Sequence, residues 1–328
     1  VSFAFTAHLP LSRHEIDRDG VARANPALFD QLWQDEATRL LPVWGGKVLL
    51  APAEQGMPRL ALCAPSQVPT ASVRVYLGLS LATDAAEPVG TPLVAVSLDN
   101  AAAAELEPDE SRWVSPRTVV AELADRDAGA CAEALGVLNW HASHIHCPRC
   151  GSTTRIEDAG WTRRCPNDGS QVFPRTDPAV IVLITDQSDR ILLGSNAMWE
   201  HNRYSLLAGF VEPGESLEAA VVREMEEESG LRVTDAQYLG SQPWPFPASL
   251  MCGFTARLAD DQSPHDLVPD GEEILDLRWF SRDELRAEAE RILLPGASSI
   301  ARAMIDHWLA GHGHGDDQGV EAASPVPR

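Results

Sequence analysis

Gly209–Leu231 reads GFVEPGESLEAAVVREMEEESGL, with seven glutamates beside a single arginine, Arg223. Ser216 is a good helix N-cap, Glu218 suits the positive first turn, and Gly230 suits the stop. The expected helical block is Glu215–Gly230. On it, Glu224 pairs with Glu228 at i, i+4 and with Glu227 at i, i+3, so three carboxylates share one face. Glu226 points elsewhere. Stacked carboxylates repel unless divalent cations lie between them, and hard oxygen donors suit Mg2+ or Mn2+. Arg223 is placed to orient a neighbouring carboxylate. The ordinary meaning of such a charge run is a solvated acidic face.

The fixed positions decide against a mere acidic face. The segment fits G-x5-E-x7-R-E-U-x-E-E-x-G-U, with U apolar, at Gly209, Glu215, Arg223, Glu224, Met225, Glu227, Glu228, Gly230 and Leu231. This resembles the signature of the Nudix hydrolases. The resemblance implies an α/β/α sandwich whose loop–helix–loop holds metals against a diphosphate. It also implies hydrolysis of a nucleoside diphosphate linked to another moiety.

Upstream lies Cys147-x2-Cys150-x14-Cys165-x2-Asp168. Two short knuckles at this separation have the layout of a zinc ribbon, in which thiolates hold Zn2+ tetrahedrally. The fourth position is a carboxylate. Either the set is Cys3Asp or the site is degenerate at that corner. One structural zinc per chain is expected. Six cysteines in 328 residues are too few for a disulfide scaffold. They point to a reducing, cytoplasmic compartment.

Downstream of the box comes Ser241–Ser249, SQPWPFPAS. Its three alternating prolines stiffen the backbone around Trp244 and Phe246, which can present an aromatic face to a flat ring. In this order, ribbon, box and SQPWPFPAS resemble the NADH pyrophosphatase subfamily, the NudC-like enzymes, over residues 147–249. That resemblance implies roles for particular residues. By it, Glu224 and Glu228 look like metal ligands, and Glu227 like a further ligand or the group that orients the attacking water. Ala208 looks like the residue whose backbone carbonyl touches a metal, in the substrate pocket. Glu273 resembles the distal metal-binding glutamate, with Glu272 as its neighbouring alternative. Gln242, Pro243, Trp244, Pro245, Phe246, Pro247, Ala248 and Ser249 look like the dinucleotide-recognition segment. Phe173 and Phe210 resemble aromatics that stack on nicotinamide, and Ala301 resembles a pocket-lining residue. The family often has Tyr where this chain has Phe173. Gly160 stands where some relatives carry a substrate-contacting glutamate. The family is dimeric, so a homodimer is expected.

The rest of the chain is less specific. Strands are expected at Lys47–Pro52, Ser72–Ser80 and Pro92–Leu98, and a helix over Arg117–Trp140 broken at Gly129 or Gly136. No catalytic constellation occurs in this region, so it reads as a scaffold or dimerisation domain. Ala179–Ile184 and Ile191–Ser195 form an expected hairpin, Asp276–Phe280 a late strand and Gly296–Ala310 a terminal helix. The Gly/Pro-rich tail reads as disordered. The fold class is therefore α/β. An N-terminal α+β domain (1–140) precedes a zinc ribbon (141–175), a Nudix sandwich (176–312) and a disordered tail (313–328).

Composition bounds the partners. The formal charge is −22, with 26 basic and 48 acidic residues. Bulk attraction to nucleic-acid phosphates needs basic stripes, so bulk nucleic-acid binding is not expected. No apolar run reaches the roughly 18 residues of a membrane span. The first residues lack a basic n-region followed by an apolar h-region, so no signal peptide is expected. Opening on Val1 rather than Met suggests a trimmed start. The expected reaction is hydrolysis of NAD(H) to NMN(H) and AMP, with removal of NAD caps from RNA 5′ ends. Alternatives are a broader hydrolase of ADP-ribose and dinucleoside polyphosphates, and a non-catalytic nucleotide-binding module.

Overall fold

The computed structural model describes residues 5–52, 56–69, 71–83, 85–288 and 290–311. The expected disordered tail lies outside the described residues. The chain divides into two compact units, Val1–Asp177 with Gln242–Leu250, and Pro178–Ser241 with Met251–Arg328.

The first unit is built on a six-stranded sheet. In spatial order its strands are Ile16–Asp17, Val73–Ser80, Pro92–Leu98, Arg39–Trp44, Lys47–Leu49 and Trp113–Val114. Arg39–Trp44 runs parallel to Pro92–Leu98, and the other pairs are antiparallel. Alternation along the strands makes two apolar faces. Leu93 and Ala95 pack with Leu41, Val75 and Leu77 on one face. Val94 and Val96 pack with Leu40 and Tyr76 on the other. The first face is covered by helix Asp125–Ser143. The second is covered by Leu28–Gln34 and Asn100–Leu106. Helices on both faces explain why the central strands read as nearly continuous apolar runs.

The expected helix over Arg117–Trp140 needs correction. It is two helices, Pro116–Val119 and Asp125–Ser143, and the break falls between them rather than at a glycine. Both glycines lie inside the second helix. Gly129 is there for space: a Cβ on it would lie 2.7 Å from His14 Cβ and 2.9 Å from His14 Cα. The small three-stranded sheet Arg155–Glu157, Thr162–Arg164 and Gln171–Val172 carries the cysteine knuckles.

The second unit is built around a sheet ordered Val233–Trp244, Ser249–Leu258, Asp177–Thr185, Ile191–Asn196 and Ile274–Phe280. Leu207–Phe210 pairs antiparallel with Asp177–Thr185. The box helix is Leu217–Ser229, and Ile300–Leu309 is the last described helix. The tip of the first hairpin, Gln242–Leu250, belongs to the first unit. Much of SQPWPFPAS is therefore strand, with only Pro245–Ala248 left to the turn.

Candidate active site

Ser216 Oγ accepts from the Ala219 N–H at 3.1 Å and starts the box helix. Gly230, at φ +70°, closes it in the left-handed region where glycine is favoured. Ala220, Val221 and Met225 are fully buried and fix the helix's inner face. Packing that face settles where the carboxylates go. Glu228 is buried, with only 5% of the residue exposed, and the Glu224 side chain is nearly so at 13%. Glu227 stands out at 60%.

The expected trio therefore separates into one buried carboxylate, one largely buried and one solvated. Burial, then the negative charges of Glu224, Glu273 and Asp270, pushes the Glu228 carboxyl up to about 8. The Ala208 backbone N–H opposes that by donating to it. Burial likewise raises Glu224 above the ordinary carboxylate range. Glu228 Oε2 is buried and has no hydrogen-bond partner among the described residues. The Leu207–Phe210 strand leaves the neighbouring Glu224 little room: a Cβ on Gly209 would lie 1.9 Å from the Glu224 carboxyl carbon.

Arg223 organises the acidic cluster. Its Nε and Nη2 donate to the two oxygens of Glu215, at 2.8 and 2.9 Å. Its Nη1 reaches Glu227 at 2.8 Å and Glu224 at 2.9 Å, and Nη2 also donates to the Phe210 carbonyl at 2.9 Å. Arg223 thereby holds the Glu215 carboxyl down to about 2. One cation thus ties the loop before the helix to the helix and to the preceding strand.

Glu273 sits on a turn whose organiser, Asp270, sequence reasoning missed. Asp270 Oδ1 accepts from the N–H groups of Glu272, Glu273 and Ile274 at 2.8, 2.8 and 2.9 Å. Burial works against the charged form, but those three donors hold Asp270 below its usual range. Asn196 Nδ2 donates to Glu273 Oε1 at 3.2 Å. Glu272 shares the turn, but of the two it is Glu273 whose charge raises Glu224 and Glu228. The signal for Asp270 was available in the Asp-Gly pair that opens DGEEIL.

In the ribbon, one ligand atom from each of Cys147, Cys150, Cys165 and Asp168 lies within 4.8 Å of the others. Asp168 Oδ1 is occupied by the Ser170 N–H at 2.9 Å and hydroxyl at 2.6 Å. That leaves Oδ2 facing Cys147 Sγ at 3.8 Å. Gly160 could not be anything else here. It lies at φ +96°, and a Cβ would meet the Arg74 carbonyl at 2.6 Å.

The SQPWPFPAS segment is held by residues of the N-terminal region. Asn139 Nδ2 donates to the carbonyls of Pro245 at 2.8 Å and Pro247 at 3.2 Å. The Arg117 guanidinium lies 4.3 Å from the Phe246 ring centre and 5.6 Å from that of Trp244. Those two rings meet edge to face at 5.0 Å. Neither Asn139 nor Arg117 stands out in the sequence, because nothing local marks a helix asparagine as a clamp.

Family comparisons join these pieces. Residues 175–302 match the model described as a NUDIX domain. Residues 37–140 match the NADH pyrophosphatase-like rudimentary NUDIX domain, and 142–173 the NADH pyrophosphatase zinc ribbon domain. Residues 175–302 form a Nudix domain. The NAD-capped RNA hydrolase NudC of Mycobacterium bovis (strain BCG / Pasteur 1173P2) is 45% identical over 196 residues, 57% of this chain and 62% of that protein. That of Mycobacterium tuberculosis (strain ATCC 25618 / H37Rv) matches to the same extent. The human NAD-capped RNA hydrolase NUDT12 is 36% identical over 208 residues, 59% of this chain and 44% of that protein. The match spans about three-fifths of the mycobacterial relatives. A Nudix hydrolase of Nitrosomonas europaea, solved as a crystal structure, matches at 22% identity and TM-score 0.42, covering 52% of this chain and 93% of that one.

The Nudix domain implies use of a divalent metal. The residues fit one: Glu228 offers a buried oxygen with no partner among the described residues, and burial together with the charges of Glu224, Glu273 and Asp270 raises its proton affinity. The Cys3Asp set of the ribbon fits zinc by donor chemistry. Of the residues expected to meet substrate, Phe173 and Gln242–Ser249 belong to the first unit, and Ala208, Phe210 and Ala301 to the second. Phe173 and Phe210 are exposed, at 61% and 59%, and free to stack. Gln242 and Ala301 are buried. No described helix is long and apolar enough to cross a membrane.

Proposed function

We propose that this protein hydrolyses the diphosphate of NAD(H) to NMN(H) and AMP, and removes NAD caps from RNA 5′ ends to leave a 5′-monophosphate. The observation that carries the hydrolysis is the buried Glu228 carboxylate beside Glu224 in the Nudix domain, whose Oε2 has no hydrogen-bond partner among the described residues. The substrate class rests on the SQPWPFPAS segment and on the activities named for the relatives.

Glu224, Glu228 and Glu273 would hold Mg2+ or Mn2+, with the Ala208 carbonyl as a further donor. A divalent ion supplies the positive charge that an acidic pocket needs to accept a diphosphate, and it acidifies water. Arg223 sets Glu224 and Glu227 in place, at 2.9 and 2.8 Å. Glu227, the most solvated of the three box carboxylates, orients the attacking water, and either Glu227 or Glu273 accepts its proton. Phe210, exposed beside the box helix, stacks on the nicotinamide. Placement and charge do the work, with no covalent intermediate on the chain.

One zinc on Cys147, Cys150, Cys165 and Asp168 stabilises the ribbon. The chain acts as a homodimer. Its −22 charge leaves cap recognition, rather than bulk RNA attraction, to select the substrate. Six free thiols fit a cytoplasmic location.

Chromatography of products from a panel of NADH, NAD+, ADP-ribose and diadenosine polyphosphates tests the reading. NMN(H) and AMP as the preferred products support it. Preference for ADP-ribose or the diadenosine compounds moves the assignment to a broader hydrolase, and turnover of none leaves a binding module.

A further inference from the structure

Of the chain's nine tryptophans, only Trp199 is exposed, at 41%. Met198 beside it is 92% exposed. Isolated apolar side chains on a surface are ordinary. What sets this pair apart is where the chain holds it. The pair lies in the loop between strands Ile191–Asn196 and Leu207–Phe210, and both ends of that loop reach the proposed metal site. At one end Asn196 Nδ2 donates to Glu273 Oε1 at 3.2 Å, and the Ala197 N–H donates to the Glu273 carbonyl at 2.8 Å. At the other end the strand carries Ala208.

The loop is braced along its length. Asn196 Oδ1 accepts from the Met198 N–H at 2.9 Å, and the Asn196 carbonyl accepts from the Trp199 N–H at 3.0 Å. Further along, the Asn202 carbonyl accepts from the Leu293 N–H at 2.8 Å, and the Tyr204 N–H donates to the Leu293 carbonyl at 3.0 Å. The sheet bulges at the same place. Ser195 pairs with Asp276 and Asn196 with Ile274, so Leu275 is the extra residue, and it is exposed. Bulges beside a site re-aim its side chains. An indole fixed in this way loses little freedom when a flat partner lies on it.

A free dinucleotide ends at its adenosine. A capped RNA runs on from that adenosine through a phosphate to a further base, which needs a surface beyond the dinucleotide. At −22 the chain does not hold RNA phosphates by bulk charge. The loop's one arginine, Arg203, lies 3.3 Å from Glu200. Stacking on an aromatic face needs no cation and accepts any base. We propose that Trp199, with Met198 beside it, is the platform on which the first base after the NAD cap stacks. This rests on the proposed decapping reading, and it names the residue that separates capped RNA from free NAD(H).

Steady-state kinetics of the full chain with saturating Mg2+ or Mn2+ test this on three substrates. They are NAD+, an NAD-capped RNA with one guanosine after the cap, and the same RNA with an abasic ribose in place of that guanosine. The abasic substrate keeps the phosphate and removes only the base. The wild type should favour the guanosine substrate over the abasic one about tenfold in kcat/KM, with the difference in KM. Trp199→Ala should bring that ratio to within about twofold of unity, while NAD+ kinetics stay within about twofold of wild type. Trp199→Phe, which keeps a ring, should restore most of the preference. The wild-type ratio needs no variant, so it tests the proposal even where Trp199→Ala misfolds. A wild type that decaps both RNAs equally well overturns this inference alone. A Trp199→Ala that keeps the preference overturns it too, as does an equal loss on all three substrates with the fold intact by circular dichroism. A wild type that hydrolyses neither NAD+ nor capped RNA overturns the hydrolysis reading, and this inference with it.

Discussion

The Glu224 carboxylate occupies the space that a side chain at Gly209 would need, with its carboxyl carbon 1.9 Å from where that Cβ would stand. Gly209 is therefore part of how Glu224 is positioned. Gly209→Ala should displace the flexible end of Glu224 rather than the backbone. Turnover of NADH should fall about 100-fold or more, while the melting temperature moves by only a few degrees. Parallel kinetics and calorimetric melting check this, and a variant with near-normal kcat would show that Glu224 is free to move without loss.

Asn139 donates to two carbonyls of the recognition segment. Each hydrogen bond contributes about 1 kcal/mol. Asn139→Ala should thus raise KM for NADH about 5- to 30-fold and leave kcat within about twofold. An unchanged KM, or an equal loss in kcat alone, would mean that the clamp does not serve substrate binding.

The Nudix box and the knuckles were legible because each carries its chemistry within a short, fixed spacing. Ser216 and Gly230 marked the helix ends by the same local logic. The separate roles of Glu224, Glu227 and Glu228 were not legible. Helical spacing puts them on one face, but only packing of Met225 and Val221 decides which are buried. Asp270 and Asn139 act through contacts with turn N–H groups and distant carbonyls, which spacing does not report. Helix Asp125–Ser143 runs through Gly129, where a Cβ would collide with His14, a tertiary contact that outweighs propensity.

His141 gives a pH test of the N-terminal unit. Its Nε2 lies 2.7 Å from the Gly160 carbonyl and its Nδ1 2.9 Å from Arg163 Nη1, so its neighbours select the neutral ring protonated on Nε2. Burial, with Arg163, lowers it from 6.5 to about 4. The unfolded chain then binds a proton that the folded one refuses. This contribution is full above the ordinary value and is lost as pH falls towards about 4. At about 1.4 kcal/mol per pKa unit the loss is at most about 3.5 kcal/mol. Urea unfolding between about pH 7 and pH 4 should show a smaller pH-dependent loss for His141→Gln than for wild type. Parallel curves for the two would rule out this role.

Ser170 occupies one oxygen of Asp168 and leaves the other facing the thiols. Asp168→Ala should weaken zinc binding at least about tenfold by chelator competition, and Asp168→Cys should restore it. The Co2+-substituted wild type should give the spectrum of a tetrahedral site with three thiolates and one oxygen. Undiminished affinity in Asp168→Ala would remove Asp168 from the ligand set.

The most direct test of the central claim is NADH hydrolysis by wild type and Glu228→Gln at saturating Mg2+ or Mn2+, with folding checked by circular dichroism. The wild type should yield NMNH and AMP. Glu228→Gln should lose about 1,000-fold in kcat with its fold intact, since several kcal/mol of charge stabilisation depend on that carboxylate. Near-wild-type rates in Glu228→Gln would contradict the assignment of the site.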